Sequence, residues 1–256
     1  MKISSISRVI VIGLACFFVV VLVSGLLQTS MQSVWNLFGD QEFLQAILFS
    51  LKTSVVATTF AFFLGVPSGF FMARNNTLIS RGVDILFDIP IVIPPLIVGV
   101  LLMSFLNLPL VNQLFSFIFT IKGAIIAQFF VAVPFTIKSA KNAFELVSPV
   151  YERIAMTLGA KPVKSFFDTT FKIAFPGILS GLVLTWLRCV GEFGATLMVA
   201  GGIPGKTENI PINVYLHMIS GDYEKGIAAS ILAIALAFLC IILINIVFLK
   251  GRRKMQ

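Results

Sequence analysis

Charged residues are scarce in this chain. Asp, Glu, Lys and Arg make up only 12% of its 256 residues, against about 25% in an ordinary soluble domain. Hydrophobic residues make up 58%, and the mean hydropathy is +1.01. This composition excludes a typical soluble domain and indicates a polytopic membrane protein. The length suffices for about six helical spans of ~20 residues each.

Histidine and cysteine are nearly absent as well. The single histidine, His217, excludes the two-histidine zinc motif of membrane metalloproteases. The three cysteines lie in apolar segments without the spacing of a metal site or a disulfide framework, so we interpret them as buried small hydrophobes: Cys16, Cys189 and Cys240. No set of nucleophile, base or metal ligands supports an intramembrane enzyme.

A functional phosphate-binding loop is also missing, although residues 201–207 read GGIPGKT. The nucleotide-binding pattern needs four residues between its two glycines, which places Ala200 where a glycine belongs. Pro204 removes a backbone N–H that would hold phosphate. We therefore predict an external turn here and a chain that does not itself hydrolyse ATP.

Six apolar segments are candidate membrane spans: 9–27, 53–73, 89–106, 123–137, 176–200 and 226–249. The fourth is too short to cross alone and is predicted to borrow from 114–121, with Lys122 reaching the outer interface. The first could be a cleaved signal peptide, but its apolar run exceeds the usual 7–15 residues, so we expect a retained helix. Prolines in these segments indicate either packing kinks or discontinuous helices around a path: Pro90, Pro94, Pro95 and Pro134.

Basic residues predict the orientation of the spans. Fourteen of the nineteen lie on alternate connections: Lys2, Arg8, Arg74, Arg81, Lys138, Lys141, Arg153, Lys161, Lys164, Lys172, Lys250, Arg252, Arg253 and Lys254. The positive-inside rule then places both termini in the cytoplasm and requires two spans between residues 89 and 137. The net charge of +8 is thus a topology signal and not a nucleic-acid site.

Two charged residues fall within the fifth predicted span. Arg188 and Glu192 are four residues apart, and burying such a group costs roughly 2.5–3.5 kcal/mol even on the lenient insertion scale. One helical turn apart, they can neutralise each other on a surface that faces protein or water. They could be a structural ion pair or line a path. We favour structure or gating over a substrate ligand, because conduction needs weak binding.

Residues 142–175 form the one long loop on the predicted cytoplasmic side. Ser148 and Pro149 indicate a helix start, and Gly159 indicates its end. Apolar residues recur four apart between them: Val150, Ile154 and Leu158. A second short helix is predicted from Pro162. The first helix could lie on lipid headgroups or dock in a groove of a partner protein.

The segment YERIAMTLGAKP (151–162), with FPGI at 175–178, resembles the cytoplasmic loop signature of binding-protein-dependent ABC transporter permeases. In that family this loop inserts a coupling helix into a cleft of the cytoplasmic ATPase. The resemblance implies an ATPase-coupling site at the matching positions: Glu152, Ala155, Leu158, Gly159, Ala160 and Pro162. Thr157 and Pro176 also match the signature.

Three further segments resemble the oxyanion branch of this family, molybdate permeases first and sulfate or thiosulfate permeases second: DIPIVIPP (88–95), RCVGEFGAT (188–196) and GIPGKTENIP (202–211), followed by Tyr215. The resemblance implies an all-α fold of about six transmembrane helices, like type I ABC importer permeases. It implies a single permease domain, 1–256, that moves molybdate or tungstate inward. Sulfate or thiosulfate is the alternative substrate.

The same resemblance implies the partners and the location. They are a cytoplasmic ABC ATPase dimer that holds ATP and Mg²⁺, an extracytoplasmic oxyanion-binding protein, a second copy of this chain, and the lipid of a prokaryotic inner membrane. The chain itself is expected to bind no cofactor, metal or nucleic acid and to catalyse no reaction. The rival is an ion-coupled carrier, which would want a free intramembrane acid and internal repeats. Glu192 is the sole mid-span acid, and it has a partner.

Overall fold

The computed structural model describes residues 2–75 and 77–253, with the side chains of 7–75 and 77–242. The described residues form helices joined by short turns, which confirms the all-α prediction. The helices are α1 Lys2–Leu27, α2 Met31–Leu37, α3 Gln41–Arg74, α4 Leu78–Val92, α5 Pro95–Leu106, α6 Pro109–Leu114, α7 Ile121–Glu145, α8 Val150–Thr157, α9 Pro162–Phe166, a π-helical turn Phe167–Phe171, α10 Lys172–Val190, α11 Gly194–Ala200, α12 Ile210–Ile219 and α13 Tyr223–Arg253.

The predicted number of about six spans agrees with the structure. Five helical segments of the described chain are long and apolar enough to cross a membrane: Ser7–Leu27, Gln41–Arg74, Ile121–Glu145, Pro162–Val190 and Tyr223–Ile242. The pair α4 and α5 meets the same test only when taken together, and it is bent by 112°. The chain is therefore a multi-pass membrane protein.

The predicted spans have different ends in the structure, and the contacts explain the differences at three of them. The span 89–106 is broken because Pro94 and Pro95 lack N–H donors and Pro94 holds Ile93 in an extended conformation, with ψ 137°. The span 123–137 does not borrow from 114–121. Instead α7 begins at Ile121, where the Thr120 hydroxyl caps it by accepting from the Gly123 N–H at 3.2 Å, and it continues to Glu145. The span 176–200 begins earlier and ends at Val190.

Residues Ile47–Asn209 form one compact unit, built around α7. This helix packs closely against α3 and α10 because glycines face it from both sides. A Cβ added at Gly69 of α3 would lie 2.7 Å from the Ala140 Cβ, and one at Gly181 of α10 would lie 2.1 Å from the Ser139 Cβ. Cys189 is buried in this unit, as predicted.

The second compact unit contains the chain up to Ala46 and from Ile210 onward. Within it α13 packs against α1, α2 and α12. Ser33 of α2 donates to Glu224 Oε1 at 2.6 Å, and the Lys225 ammonium lies 3.2 Å from Asp40 Oδ2. The burial predicted for two cysteines is wrong here, because Cys16 is exposed on α1 and Cys240 is half-buried.

Asp40 makes the stability of this unit dependent on pH. Partial burial raises the pKa of Asp40, but the hydrogen bonds from Lys225 and from the Phe43 and Glu42 N–H groups outweigh it and hold that pKa below its ordinary value. The carboxylate therefore stabilises the fold above the unfolded-chain pKa of about 4, and this stabilisation is lost as pH falls through the lower folded value.

We expect Asp40→Asn to have a lower melting temperature than the parent protein at pH 7. Below about pH 4 the melting temperature of the variant should decrease less than that of the parent protein. Thermal unfolding of the detergent-solubilised chain between pH 7 and pH 3 measures both effects. Glu42→Gln is the matched control, since it removes an acid from the same helical turn. Identical pH profiles for Asp40→Asn and the parent protein would contradict the prediction.

Candidate coupling surface and intramembrane ion pair

The helix α8 begins one residue later than the sequence predicts. Its N-cap is Pro149, and the Ser148 hydroxyl accepts from the Val150 N–H at 3.4 Å. Glu152 lies in the first turn, where a carboxylate favours the positive end of the helix dipole.

The end of α8 is a Schellman motif centred on Gly159. This glycine has φ +91°, in the left-handed region that favours glycine. Its N–H donates to the Met156 carbonyl at 3.0 Å, and the Ala160 N–H donates to the Ala155 carbonyl at 3.0 Å. These two bonds satisfy carbonyls that the helix end would otherwise leave unpaired. Three predicted coupling residues, Ala155, Gly159 and Ala160, thus shape the turn that follows α8.

Glu152 attaches α8 to its neighbours. The Thr170 hydroxyl donates to Glu152 Oε1, and the Ser165 hydroxyl donates to the Glu152 carbonyl at 2.8 Å. The Arg74 guanidinium lies 3.8 Å from Oε1 and donates to the Val147 carbonyl at 3.0 Å. The carboxylate therefore connects α8 with the end of α3 and with the π-helical turn.

The outer face of α8 is apolar and exposed. Leu158, at the helix end, has 83% of its surface exposed, and Pro162 is exposed beside it. Other large apolar side chains on the same side of the helix are exposed as well: Val150, Tyr151 and Ile154. Contiguous exposed apolar surface of this kind indicates an interaction site. Four of the six predicted coupling residues thus attach α8 or form its end, and the other two lie on its exposed surface. The first group is Glu152, Ala155, Gly159 and Ala160, and the second is Leu158 and Pro162.

We expect Glu152→Ala to loosen this attachment without unfolding the spans. Hydrogen bonds to a charged group contribute about 1.5 kcal/mol or more, which corresponds to a roughly tenfold increase in the local opening of residues 146–161. The rate of trypsin cleavage after Arg153 in the purified protein measures this opening. Asp168→Ala, which removes an exposed acid nearby, is the control and should leave the rate unchanged. Equal rates for both variants would contradict the assigned role of Glu152.

The sequence predicts a second short helix in this loop, and this prediction is wrong. α9 begins at Pro162 and continues through the π-helical turn into α10, so that Pro162–Val190 forms one span of 29 residues. An apolar groove of about 440 Å³ lies beside this turn. Its lining residues are Phe62, Phe63, Val66, Pro67, Phe70, Phe144, Phe166, Phe167 and Phe171.

Arg188 and Glu192 form an ion pair at a helix break. α10 ends at Val190, and the carboxylate of Glu192 lies between α10 and α11. Glu192 Oε2 lies 2.6 Å from Arg188 Nη1, as an ion pair without the alignment of a hydrogen bond. Oε1 accepts from the Ala195 N–H at 2.9 Å, and the Glu192 carbonyl accepts from the Asn209 amide at 2.6 Å. The predicted continuous helix 176–200 is wrong for this reason.

The two partners differ in burial. The side chain of Glu192 is 1% exposed, and that of Arg188 is 27% exposed. The carboxylate neutralises the arginine and also caps the first turn of α11. A buried carboxylate held by Arg188 and by the Ala195 N–H is suited to fixing the positions of two helices.

Residues 65–253 match a family described as the binding-protein-dependent transport system inner membrane component. The chain belongs to this family. Its members are permease subunits without catalytic activity, and they work with an ATPase and a substrate-binding protein.

Three named relatives are similar to this permease over most of its length. The molybdenum transport system permease protein ModB of Mycobacterium tuberculosis is 33% identical, covering 81% of each chain. The molybdate/tungstate transport system permease protein WtpB of Thermococcus kodakarensis is 34% identical, covering 79% of this chain and 78% of that protein. ModB of Escherichia coli K12 is 33% identical, covering 78% and 90%.

Two solved structures share the fold of this permease. An inward-facing structure of the MetNI methionine ABC transporter aligns with a TM-score of 0.60 and 20% identity, covering 88% of this chain and 97% of that one. A bacterial ABC transporter that imports alginate aligns with a TM-score of 0.61 and 17% identity, covering 89% and 85%. These likenesses confirm the ABC importer permease fold.

The sequence reasoning missed a charge network between α4 and α7 of the permease. The Lys138 ammonium contacts Asp84 and lies 2.9 Å from Asp88 Oδ1, and Lys141 lies 2.6 Å from Asp84 Oδ2. The positive-inside rule counts both lysines among the basic residues of a cytoplasmic connection, without partners assigned to them. The sequence does carry a signal for this network in the spacing of its residues. Asp84 and Asp88 are four apart and Lys138 and Lys141 are three apart, so each pair lies on one face of its helix.

A buried polar set between α3, α7 and α10 was missed as well. The fully buried Gln128 amide donates to the Thr53 hydroxyl at 3.0 Å, and the Thr136 and Thr185 hydroxyls lie 2.8 Å apart. Such contacts hold helices together where no water is present. Among the described residues, no group of three or more acidic, histidine or cysteine side chains could hold a metal ion.

Proposed function

We propose that this permease is the membrane subunit of an ATP-driven importer of an oxyanion, molybdate or tungstate. The observation that supports this substrate is the similarity to ModB and WtpB, which extends over about four-fifths of the chain. Sulfate or thiosulfate is the second candidate, because the segments at 88–95, 188–196 and 202–211 together resemble an oxyanion branch that includes sulfate and thiosulfate permeases. The binding protein outside would make the choice between these anions.

The apolar face of α8 is the proposed docking surface for a cytoplasmic ABC ATPase. Its exposed Leu158 and the rigid turn at Gly159 suit insertion into a cleft, as an amphipathic helix docks in a groove. Two copies of the permease would place two such helices around a two-fold axis. ATP and Mg²⁺ would bind the ATPase dimer, and this chain would bind neither.

The orientation proposed here places both termini and α8 in the cytoplasm of a prokaryotic cell, in its inner membrane. Its support is the alternation of basic residues along the chain. The proposed single permease domain, 1–256, with a coupling loop at 142–175, has separate support. The family match from 65 to 253 crosses the boundary between the two compact units.

Reconstitution of the permease with its ATPase and binding protein in vesicles tests the proposal. Uptake of molybdate should require ATP on the α8 side and binding protein on the other, and it should survive an uncoupler. Equimolar sulfate should leave it unchanged. Accumulation by the purified chain alone, driven by an ion gradient, would refute the proposal. Uptake of sulfate in preference to molybdate would favour the second candidate.

A further inference from the structure

The short helix α2 has three different faces. Leu37 is fully buried, and the half-buried Ser33 on the same side donates to Glu224 at the start of α13. The side chains of Met31, Trp35 and Phe38 form a second face that is apolar and exposed. The polar Gln32 and Asn36 form the third, which is also exposed.

The spacing of these residues places the three faces on different sides of the helix. At about 100° per residue, Met31, Trp35 and Phe38 lie within about 60° of one another. The polar pair is centred about 110° away on one side, and the buried pair is centred about 150° away on the other. One helix thus meets protein, an apolar medium and water at once, which is the environment of a membrane boundary.

The position of α2 in the chain, between two membrane spans, indicates that the apolar medium is lipid. The membrane span Ser7–Leu27 ends three residues before Ser30, the N-cap of α2, and the span Gln41–Arg74 begins shortly after its end. Leu26 and Leu27, at the end of the first span, are exposed and apolar. The apolar face of α2 therefore follows, within a few residues along the chain, the exposed apolar end of a membrane span.

We propose that α2 lies flat in the headgroup region of the bilayer, with the rings of Trp35 and Phe38 inserted among the lipids. Trp35 is 68% exposed, and its ring centroid lies 5.7 Å from that of Phe38. Tryptophan favours this depth because its ring is apolar and its N–H needs a polar partner. Ser33 and Asp40 tie the helix to the start of α13 through Glu224 and Lys225. The inserted rings would thereby set the depth of that helix start.

The chain has only two tryptophans, Trp35 and Trp186, which allows a direct test. The variant Trp186→Phe leaves Trp35 as the single fluorophore of the full-length chain. It is reconstituted in phospholipid vesicles with bromine atoms near the carbonyl end or near the methyl end of the acyl chains. Quenching of Trp35 should be at least twofold stronger with the shallow bromines than with the deep ones, and iodide in the water should quench weakly.

The matched control places the tryptophan on the polar face of the same helix. The triple variant Gln32→Trp, Trp35→Phe, Trp186→Phe should show the reverse pattern, with strong quenching by iodide and weak quenching by bromine. Strong iodide quenching of Trp35 would show that its face meets water and overturn the proposal. Protection of Trp35 from both quenchers would show that protein covers it and would overturn the proposal equally. If Trp186→Phe fails to fold, the difference in quenching between the parent protein and Trp35→Phe gives the same information.

Discussion

The variant Glu192→Gln should lose about 3 kcal/mol of folding free energy, the lower end of the range for breaking a buried ion pair. The amide keeps the shape of the side chain and can still accept from the Ala195 N–H. The loss comes from Arg188, whose charge is left without its counter-ion inside the membrane. The lower end applies because the arginine is 27% exposed and can turn partly toward polar surroundings.

A double-mutant cycle separates this charge effect from general damage. Arg188→Met combined with Glu192→Gln removes both charges, so it should recover at least half of the stability lost by Glu192→Gln alone. Unfolding of the detergent-solubilised permease by heat and denaturant measures all four proteins. A double variant as unstable as the single one, or a neutral Glu192→Gln, would contradict the ion-pair account.

The same cycle distinguishes a structural pair from a group that acts on the substrate path. The double variant should transport the substrate at close to the parent rate per folded molecule if the pair only positions α10 and α11. A folded double variant with abolished uptake would assign the pair to gating or to the path. Uptake in vesicles containing the complete transporter measures this difference.

The variant Gly159→Pro should leave the permease in the membrane and abolish co-purification of the ATPase. Proline fixes φ near −65° and has no N–H. Gly159 has φ +91° and donates its N–H to Met156. The Schellman motif therefore cannot form, and the last turn of α8 with Leu158 loses its position. Gly159→Asn is the matched control, because asparagine adopts positive φ more readily than other residues, and it should retain most of the binding.

A change to the surface alone complements this backbone change. Leu158→Lys leaves the fold intact, since the side chain is 83% exposed, but it puts a charge where an apolar residue would be buried by the ATPase. We expect at least a tenfold loss of ATPase affinity with an unchanged melting temperature. Normal ATPase binding by both Gly159→Pro and Leu158→Lys would show that α8 is not the docking element.

The sequence predicted which segments cross the membrane more reliably than where they end. The fourth span illustrates the reason. Lys138 and Lys141 read as charges that end a helix at the membrane surface, yet α7 continues to Glu145 because Asp84 and Asp88 neutralise both lysines. That pairing joins residues fifty or more positions apart, so the spacing within each helix indicates a shared charged face but does not identify its partner.

The coupling region shows the same contrast between local and distant determinants. The end of α8 was predictable because a single residue, Gly159, provides the left-handed turn. The tie of Glu152 to Thr170 and Arg74 was not, since it depends on how three elements pack. The helix break before Glu192 was not predicted because Gly191 alone, within an apolar segment, is a weak signal for a helix end. The capping of α11 by the Glu192 carboxylate has no sequence pattern that would predict it.

The close packing of glycines around α7 restricts how this permease can change conformation. At Gly69 and Gly181 the neighbouring helices approach so closely that even one extra carbon would displace the partner. Gly65 and Gly177, one helical turn earlier, face α7 in the same way, so each neighbouring helix presents a pair of glycines to it. We therefore expect α3, α7 and α10 to stay packed together during the transport cycle, with relative motion taken up outside this three-helix contact.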